Sequence, residues 1–408
     1  MIKLMAINIA FKLPSFYVRW RLLAESNNDV DVTLVGPRYS EYKHMGQPTI
    51  FEPERIEENR FRVIHINMNQ PRWFKGTGWI SWELFELVRI IKPDFIYLIG
   101  YEEQNVSFQM EIARKLFVPE AKIVCFTMRG TDYKLKHINP FKSIFLRTRI
   151  KLTSKIYDAM ICHYPHGRKI IIEQRKFSKP VYIQTQIGVN KDIFKPDKEK
   201  RIEIRKRYGI TGEFVFGTAG RIDSRKGVFD VIESLPDKGN WRLLILGDGK
   251  DYNLLKEKIK ENRLNDYVIT PGVITPGEDM ASHLNAMDCF IHVPRTTKDW
   301  VDTFPLIVVQ AMATALPIIG SNSGAVPYQL GGKGIIVPEG DIDALREKMV
   351  YIMNNPEISK TIGRNLFNRV MNTFEIRHLT KCFNIVMREI LDDKYDEKYV
   401  DQTKFEFD

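Results

Sequence analysis

Short apolar runs of strand composition alternate with segments of helical spacing along most of the chain, and this alternation limits the fold more than any single motif does. Ile2 to Ile9, Asp31 to Gly36, Arg62 to Ile66, Phe95 to Ile99 and Lys122 to Thr127 read as strands. Between them Ser15 to Glu25, with its serine placed as a cap, Trp82 to Ile91 and Val106 to Leu116 have helical spacing. Asp158 to His163 and Val181 to Ile183 close this first series. A second series has strands at Phe214 to Thr218, Trp241 to Gly247, Val268 to Pro271, Asp288 to Val293, Ile318-Ile319 and Gly334 to Val337. Helices at Val228 to Leu235, Tyr252 to Asn262, Met280 to Ala286 and Ile342 to Asn354 separate them. Strands that alternate with helices pair in parallel through helical crossovers, so the expectation is an α/β fold. At 408 residues and 44% hydrophobic content, the chain can bury the cores of about two domains. Gln186 to Asn190 leads into Phe194-Lys195-Pro196-Asp197 and the charged Lys198 to Arg207, a polar stretch without hydrophobic period that reads as the boundary. Two such units imply a cleft between them, a favoured place for a ligand.

Within the second series the stretch Trp300 to Gly320, WVDTFPLIVVQAMATALPIIG, is the most informative. A short polar loop carrying Asp302 meets Pro305, which suits a first helical turn because its missing N–H has no intrahelical acceptor there; Pro317 marks where the helix has already ended. The reading is loop, helix, turn and strand, with the free N–H groups of the helix start facing the region of Asp302. Such a terminus suits a phosphate or another anion. The second chemical element is Gly220-Arg221-Ile222-Asp223-Ser224-Arg225-Lys226-Gly227, after one strand and before a helix. Its glycines let the backbone approach a phosphate; Arg221 offers a bidentate fork and Lys226 a point charge. Gly247-Asp248-Gly249 begins like a dinucleotide fingerprint but lacks the third glycine, which argues against a dehydrogenase.

The formal charge of +10 is unevenly placed. Arg129 to Lys179 holds thirteen Lys or Arg against three acids, whereas Glu389 to Asp408 holds eight acids against three lysines. Phe141, Ile144, Phe145, Thr148, Leu152 and Ile156 recur at helical spacing among Lys142, Arg147, Arg149, Lys151 and Lys155. The segment reads as a cationic amphipathic helix. Its stripe is expected to pack on the sheet, with an anionic membrane surface as the alternative partner and a merely solvated charge run as the plainest reading. The acidic end is expected to be disordered. Cys125, Cys162, Cys289 and Cys382 lie far apart and read as buried thiols of a cytoplasmic protein, peripheral to the membrane if the basic stretch touches lipid. No apolar run reaches the roughly 18 residues that span a bilayer, and the first residues do not open a signal peptide. His163 and His166 read as packing or surface residues.

GRIDSRKG, LGDG at Leu246 to Gly249, YVITPGVIT at Tyr267 to Thr275, DCFIHVP and WVDTFPLIVVQAMATALPIIGSNSGAVP resemble, in this order, the donor-binding domain of the GT4 family of retaining glycosyltransferases. IGVNKDIFKP at Ile187 to Pro196 resembles the family's interdomain segment. The resemblance is specific from about Ile187 to Glu339 and architectural before that. It implies the GT-B architecture, two Rossmann-like domains facing each other across a cleft. Residues 1–190 would form the acceptor domain and 191–374 the nucleotide-sugar domain, with a final helix from 375 returning to the first domain before the acidic tail at 408. The family's basic pair falls on Arg221 and Lys226, which would neutralise the donor's diphosphate without a metal and so stabilise the charge that develops as the glycosidic bond breaks. Asp302 would face the donor sugar, and Gln310 would accept from the ribose. Gly220, Val273, Phe304, Pro305 and Leu306 would complete the donor site, with Arg129 and Asp132 on the acceptor side.

Departures from the family pattern accompany the match. The paired glutamates are replaced by Asp302, one methylene shorter, and Gln310, which accepts without charge. The Gly-Gly after the first strand is Phe11-Lys12-Leu13-Pro14, and the loop histidine is Arg129. The Asp-x-Asp triplets at Asp29 to Asp31 and Asp341 to Asp343 read as a turn and a helix cap instead of a metal site. The expectation is transfer with retention from a nucleoside-diphosphate sugar to a glycan, lipid-linked or other acceptor, with no cofactor. The alternatives are a non-catalytic, nucleotide-sugar-binding subunit and a nucleic-acid glycosyltransferase or binder; for the last, no DNA- or RNA-binding motif is present.

Overall fold

Both series of alternating segments form parallel sheets, each in its own compact unit: residues 1–187 with 377–408, and residues 188–376. The computed structural model describes residues 1–11, 13, 16–38, 41–44, 47–50, 56–68, 79–100, 103–127 and 139–407. Ser15, expected as a helix cap, lies outside them.

The first unit contains β1 Ile2–Ile7, β2 Val30–Pro37, β3 Glu41–His44, β4 Gln47–Ile50, β5 Ile56–Glu58, β6 Phe61–Ile66, β7 Phe95–Gly100, β8 Lys122–Thr127, β9 Ala159–Cys162 and β10 Val181–Ile183. The sheet order is β10-β9-β8-β7-β1-β2-β6-β5, parallel except for β5 at the edge, while β3 and β4 pair separately as a hairpin. Central strands such as Phe95-Ile96-Tyr97-Leu98 are buried on both faces, as a sheet with helices on both sides requires. The helices that matter below are α1 Val18–Ser26, α2 Glu83–Ile91, α3 Asn105–Phe117 and α4 Pro140–Thr153.

α4 forms where the basic amphipathic segment predicts it, but its stripe does not pack on the sheet as expected. Ile150 and Thr153 turn inward, while Phe141, Ile144, Phe145 and Leu152 stay exposed. Only the last turns of α4 reach the layer beneath.

In the second unit β11 Phe214–Ala219, β12 Trp241–Leu246, β13 Val268–Gly272, β14 Cys289–His292, β15 Ile318–Ser321 and β16 Ile335–Val337 lie in the order β13-β12-β11-β14-β15-β16, all parallel. All six carboxyl ends therefore share one edge. The strand order reverses direction between β11 and β14, so the loops leaving these two strands diverge to opposite sides and open a crevice.

Lys198 to Arg207, read as part of the linker, is instead a helix, α5. Asp197 caps it, accepting from the Lys200 N–H at 3.0 Å. Arg201 and Arg205, one turn apart, both reach Asp288, and their remaining guanidinium N–H groups donate to the carbonyls of Asn285, Ala286 and Met287. The buried face of α5 is ionic, with Ile204 its one buried apolar residue, so hydrophobic period could not reveal it. α6 Val228–Glu233, α7 Leu306–Ala313, α8 Ile342–Asn354 and α9 Pro356–Thr373 complete the helices needed here. Asp341 caps α8 by accepting from the Ala344 N–H, the role read for that triplet.

α10 Ile376–Leu391 carries Phe383 into the first unit's core, where its ring meets Trp20 and Tyr97 at 5.2 Å each. The acidic end is packed, not disordered: Asp396 and Asp401 cap short turns of their own, Gln402 accepts from the Thr185 N–H, and Phe405 enters the same core. All four cysteines are buried free thiols.

Arg19 on α1 holds these pieces together without a carboxylate partner. Its guanidinium donates to the Thr185 carbonyl (2.8 Å), the Gln184 amide oxygen (2.9 Å) and the Leu379 carbonyl (3.3 Å), and it stacks over Phe383 at 4.8 Å. Burial lowers its pKa to about 10, still far above neutrality. Arg19→Ala strands three buried acceptors and is expected to destabilise the first unit by roughly 3 kcal/mol, read as a lower urea midpoint.

A candidate donor site at the sheet switch point

The loop leaving β11 is held so that its basic residues have separate tasks. The Gly220 N–H donates to the Leu246 carbonyl and the Ile222 N–H to the Asp248 carbonyl, each at 2.9 Å. A Cβ at Gly247, which has φ 131°, would lie 1.9 Å from the Gly220 carbonyl oxygen, so the two loops approach closely only because that residue is glycine. At Gly227, φ is 77° and a Cβ would meet the Val293 carbonyl at 1.9 Å, which seats the loop against the exit of β14. Asp223 caps the turn Ser224–Lys226 and binds the Arg225 guanidinium through both oxygens, at 3.0 and 2.6 Å. The Arg225 hydrogen bond holds the Asp223 carboxyl at about 2 against the upward push of burial. Arg225 is thus occupied within the loop. Arg221 is exposed, with no side-chain hydrogen bond or ion pair among the described residues.

Lys226 reaches across the switch point to Asp302, its Nζ 2.7 Å from Oδ2, and lies 5.0 Å from the Trp300 ring centroid. His292, the last residue of β14, places Nε2 3.2 Å from the same carboxylate oxygen. Asp302 is 7% exposed and His292 3%. Burial pushes the Asp302 pKa up, but the hydrogen bonds and charges of His292 and Lys226 outweigh it and hold it at about 2. A shallow pocket lined by Gly220, Arg221, Lys226 and His292 opens beside this cluster.

The structure therefore brings Lys226 and Asp302 together and sets Arg221 and Gly220 beside them. His292 was not singled out from the sequence. Its signal was there, as the one polar residue in the apolar interior of DCFIHV, ten positions before Asp302. Glu339 was also missed. It accepts from the Thr296 N–H and hydroxyl, both at 2.6 Å, bracing the loop between His292 and Asp302.

Pro305 is the residue that precedes α7, one position earlier than its sequence reading, and no side chain caps the helix. Phe304 packs edge-on to Phe374 at 5.5 Å, and Leu306 joins the same core. Gln310 is half-buried on α7, and Val273 is exposed just beyond the carboxyl end of β13. Arg129 and Asp132 lie outside the described residues. Among the described residues no group of three or more His, Cys, Asp or Glu is arranged to hold a metal ion.

Two Rossmann-like α/β units, each built on a parallel sheet, are the architecture of the GT-B folds. Residues 200–369 match the family model of glycosyl transferases group 1. The chain is 29% identical over 293 residues to the capsular polysaccharide biosynthesis glycosyltransferase CapM of Staphylococcus aureus, covering 67% of this chain and 73% of that protein. It is 26% identical over 185 residues to a GDP-mannose-dependent alpha-(1-6)-phosphatidylinositol monomannoside mannosyltransferase of Mycolicibacterium smegmatis, 43% of this chain and about half of that one (48%). In fold, it superposes on sucrose-phosphate synthase of Thermosynechococcus elongatus with a TM-score of 0.72 and 17% identity, over 97% of this chain and 100% of that one.

A carboxyl held at about 2 instead of 3.8 contributes stability that is complete above pH 3.8 and disappears as pH falls toward 2. The contribution is roughly 2 kcal/mol. Urea midpoints measured from pH 5 to 2 are expected to fall less steeply for Asp302→Asn than for the unaltered chain, with the difference confined to that window.

Proposed function

We propose that the chain transfers a sugar, with retention of anomeric configuration, from a nucleoside-diphosphate sugar to a glycan, lipid-linked or other acceptor held by the first unit. The observation that carries this reading is the pairing of Lys226 with buried Asp302 at the switch point, beside an exposed Arg221. A leaving diphosphate gathers negative charge as the glycosidic bond breaks, and Lys226, already held in place by Asp302, stabilises that charge with little reorganisation. Arg221 offers two parallel N–H donors to the phosphates; Lys226 offers a point charge.

Asp302 and His292 set where the Lys226 ammonium lies before the donor arrives. Asp302 also turns a carboxylate toward the donor sugar, and Gln310 accepts from the ribose through its amide oxygen. Gly220, Val273, Phe304, Pro305 and Leu306 shape the remaining walls, with the uncapped start of α7 contributing backbone N–H groups. The acceptor oxygen attacks on the face the diphosphate leaves, and a phosphate oxygen takes its proton, so no side chain acts as nucleophile. The reaction needs no metal in this scheme, and chelators leave it unchanged. The relatives support the donor and acceptor classes: one is named for GDP-mannose and a phosphatidylinositol monomannoside, another for capsular polysaccharide. No helix among the described residues is long and apolar enough to cross a membrane, and the excess of Lys and Arg between Arg129 and Lys179 supports a peripheral position on an anionic leaflet.

The test is a panel of UDP-, GDP-, ADP- and TDP-sugars, followed by thermal shift and by NMR of the released or transferred sugar. One donor is expected to stabilise the protein and to yield the retained anomer, with EDTA having no effect. Lys226→Ala should lower kcat/KM by about 10²- to 10³-fold. Equal turnover by Lys226→Ala at subsaturating donor would remove this loop from the donor site.

A further inference from the structure

Three helices of the first unit expose large apolar side chains to water. On α4, Phe141 is 83% exposed and Ile144 63%, with Phe145 and Leu152 beside them. Next to it runs a groove of about 640 Å³ between the start of α2 and the first turns of α3, walled by Ile80, Trp82, Phe85, Phe108 and Ile112. Trp82, stacked on Phe85 at 5.8 Å, is 79% exposed at the rim. The Ser81 N–H and carbonyl both bond the Gln109 amide, while the Ser81 hydroxyl is buried without a partner among the described residues.

Arg149 joins groove and stripe. Its guanidinium donates to the Glu103 carbonyl (2.8 and 3.1 Å) and to Asn105 Oδ1 (2.8 Å), and lies 5.0 Å from the Phe108 ring and 5.7 Å from that of Phe145. It thereby fixes α4 against the start of α3. Farther along α4 the character changes. A cavity of about 700 Å³ is lined by Arg147, Lys151, Lys155, Arg175, Lys176 and Lys179, with no carboxylate in its wall.

The location is also informative. α3 leaves the carboxyl end of β7, and α2 runs back toward the amino end of the same strand, so both helices begin at the carboxyl edge of the sheet. That edge is where α/β units hold ligands.

We infer that this face docks the first unit on an anionic lipid surface, with the α2–α3 groove receiving a lipid hydrocarbon chain. Exposed aromatic and aliphatic side chains on a helix whose flank is purely basic fit the boundary between acyl chains and negative headgroups. The exposed apolar residues of α4 give way to a basic cavity without carboxylates, and an anionic leaflet presents acyl chains and negative headgroups in that same order. For its purpose the inference rests on the proposed transferase reading, because a chain lodged at the carboxyl edge makes a lipid-linked acceptor the substrate class. Its geometry rests on this surface alone.

The experiment uses the full chain with sedimenting vesicles of phosphatidylcholine, alone or with phosphatidylglycerol, and acyl-brominated lipids as quenchers of tryptophan fluorescence. Binding is expected only with phosphatidylglycerol, and bromolipid should quench fluorescence that Trp82→Phe removes. Trp82→Ser with Phe141→Ser should weaken binding at least tenfold, and Lys151→Glu by about fivefold. Thermal stabilisation by the nucleoside diphosphate should be unchanged in all these variants. Loss of that stabilisation in the unaltered chain would indict the transferase reading alone. Intact stabilisation with no vesicle binding, or with binding indifferent to Trp82 and Phe141, overturns the docking face. So would a dimer in sedimentation velocity that the double substitution dissolves, since the face would then belong to a second copy.

Discussion

A carboxylate removed from water must be compensated where it lies, and the second unit is arranged around one such group. Asp302 meets its demand with an ammonium delivered from the loop after β11 and an imidazole delivered from the end of β14. Neither partner could arrive without the parallel order that puts both strand exits on one edge. The glycines of the adjoining loops follow from this, because the backbones must lie within van der Waals contact for the Lys226 side chain to span the gap. Recognition of an anion then needs little rearrangement, since Lys226 is positioned by a charge it shares with whatever binds.

The same principle accounts for the division of labour among neighbouring cations. Arg225 is adjacent to Lys226 in sequence, yet both of its forks are spent on Asp223. Arg221, without such a partner among the described residues, is left to the solvent-facing side of the pocket. Sequence proximity alone would have made all three equivalent. Carboxylate placement separates them.

Much of the architecture was legible because it rests on apolar period. Lys122–Thr127 and Ile342–Asn354 form with the bounds read from the sequence, and most other elements differ by a residue or two at their ends. Three of the failures share a cause, and α9 is not among them, since its Ile358, Ile362, Leu366 and Val370 do recur at helical spacing. α5 escaped because its buried face consists of arginines on Asp288 and carbonyls; the β3–β4 hairpin and β5 escaped because short edge pairings need no apolar alternation. At the site, the family pattern led to Arg221, Lys226 and Asp302, since that pattern records residue identity. It was silent on His292, whose importance lies in a contact ten residues along the chain. The stripe of α4 was visible in the sequence, but period reports that a face is apolar and not what covers it.

The first unit is discontinuous along the chain, and Arg19 and Phe383 show how completely it depends on its last segment. During synthesis the sheet from β1 to β10 leaves the ribosome with a gap in its core, which only residues 377–407 can fill. The second unit, contiguous between them, has all its strands available first. Maturation therefore runs against the order of translation: the part made first is finished last, and its apolar core stays incomplete until the end of α10 and the packed acidic segment close over it.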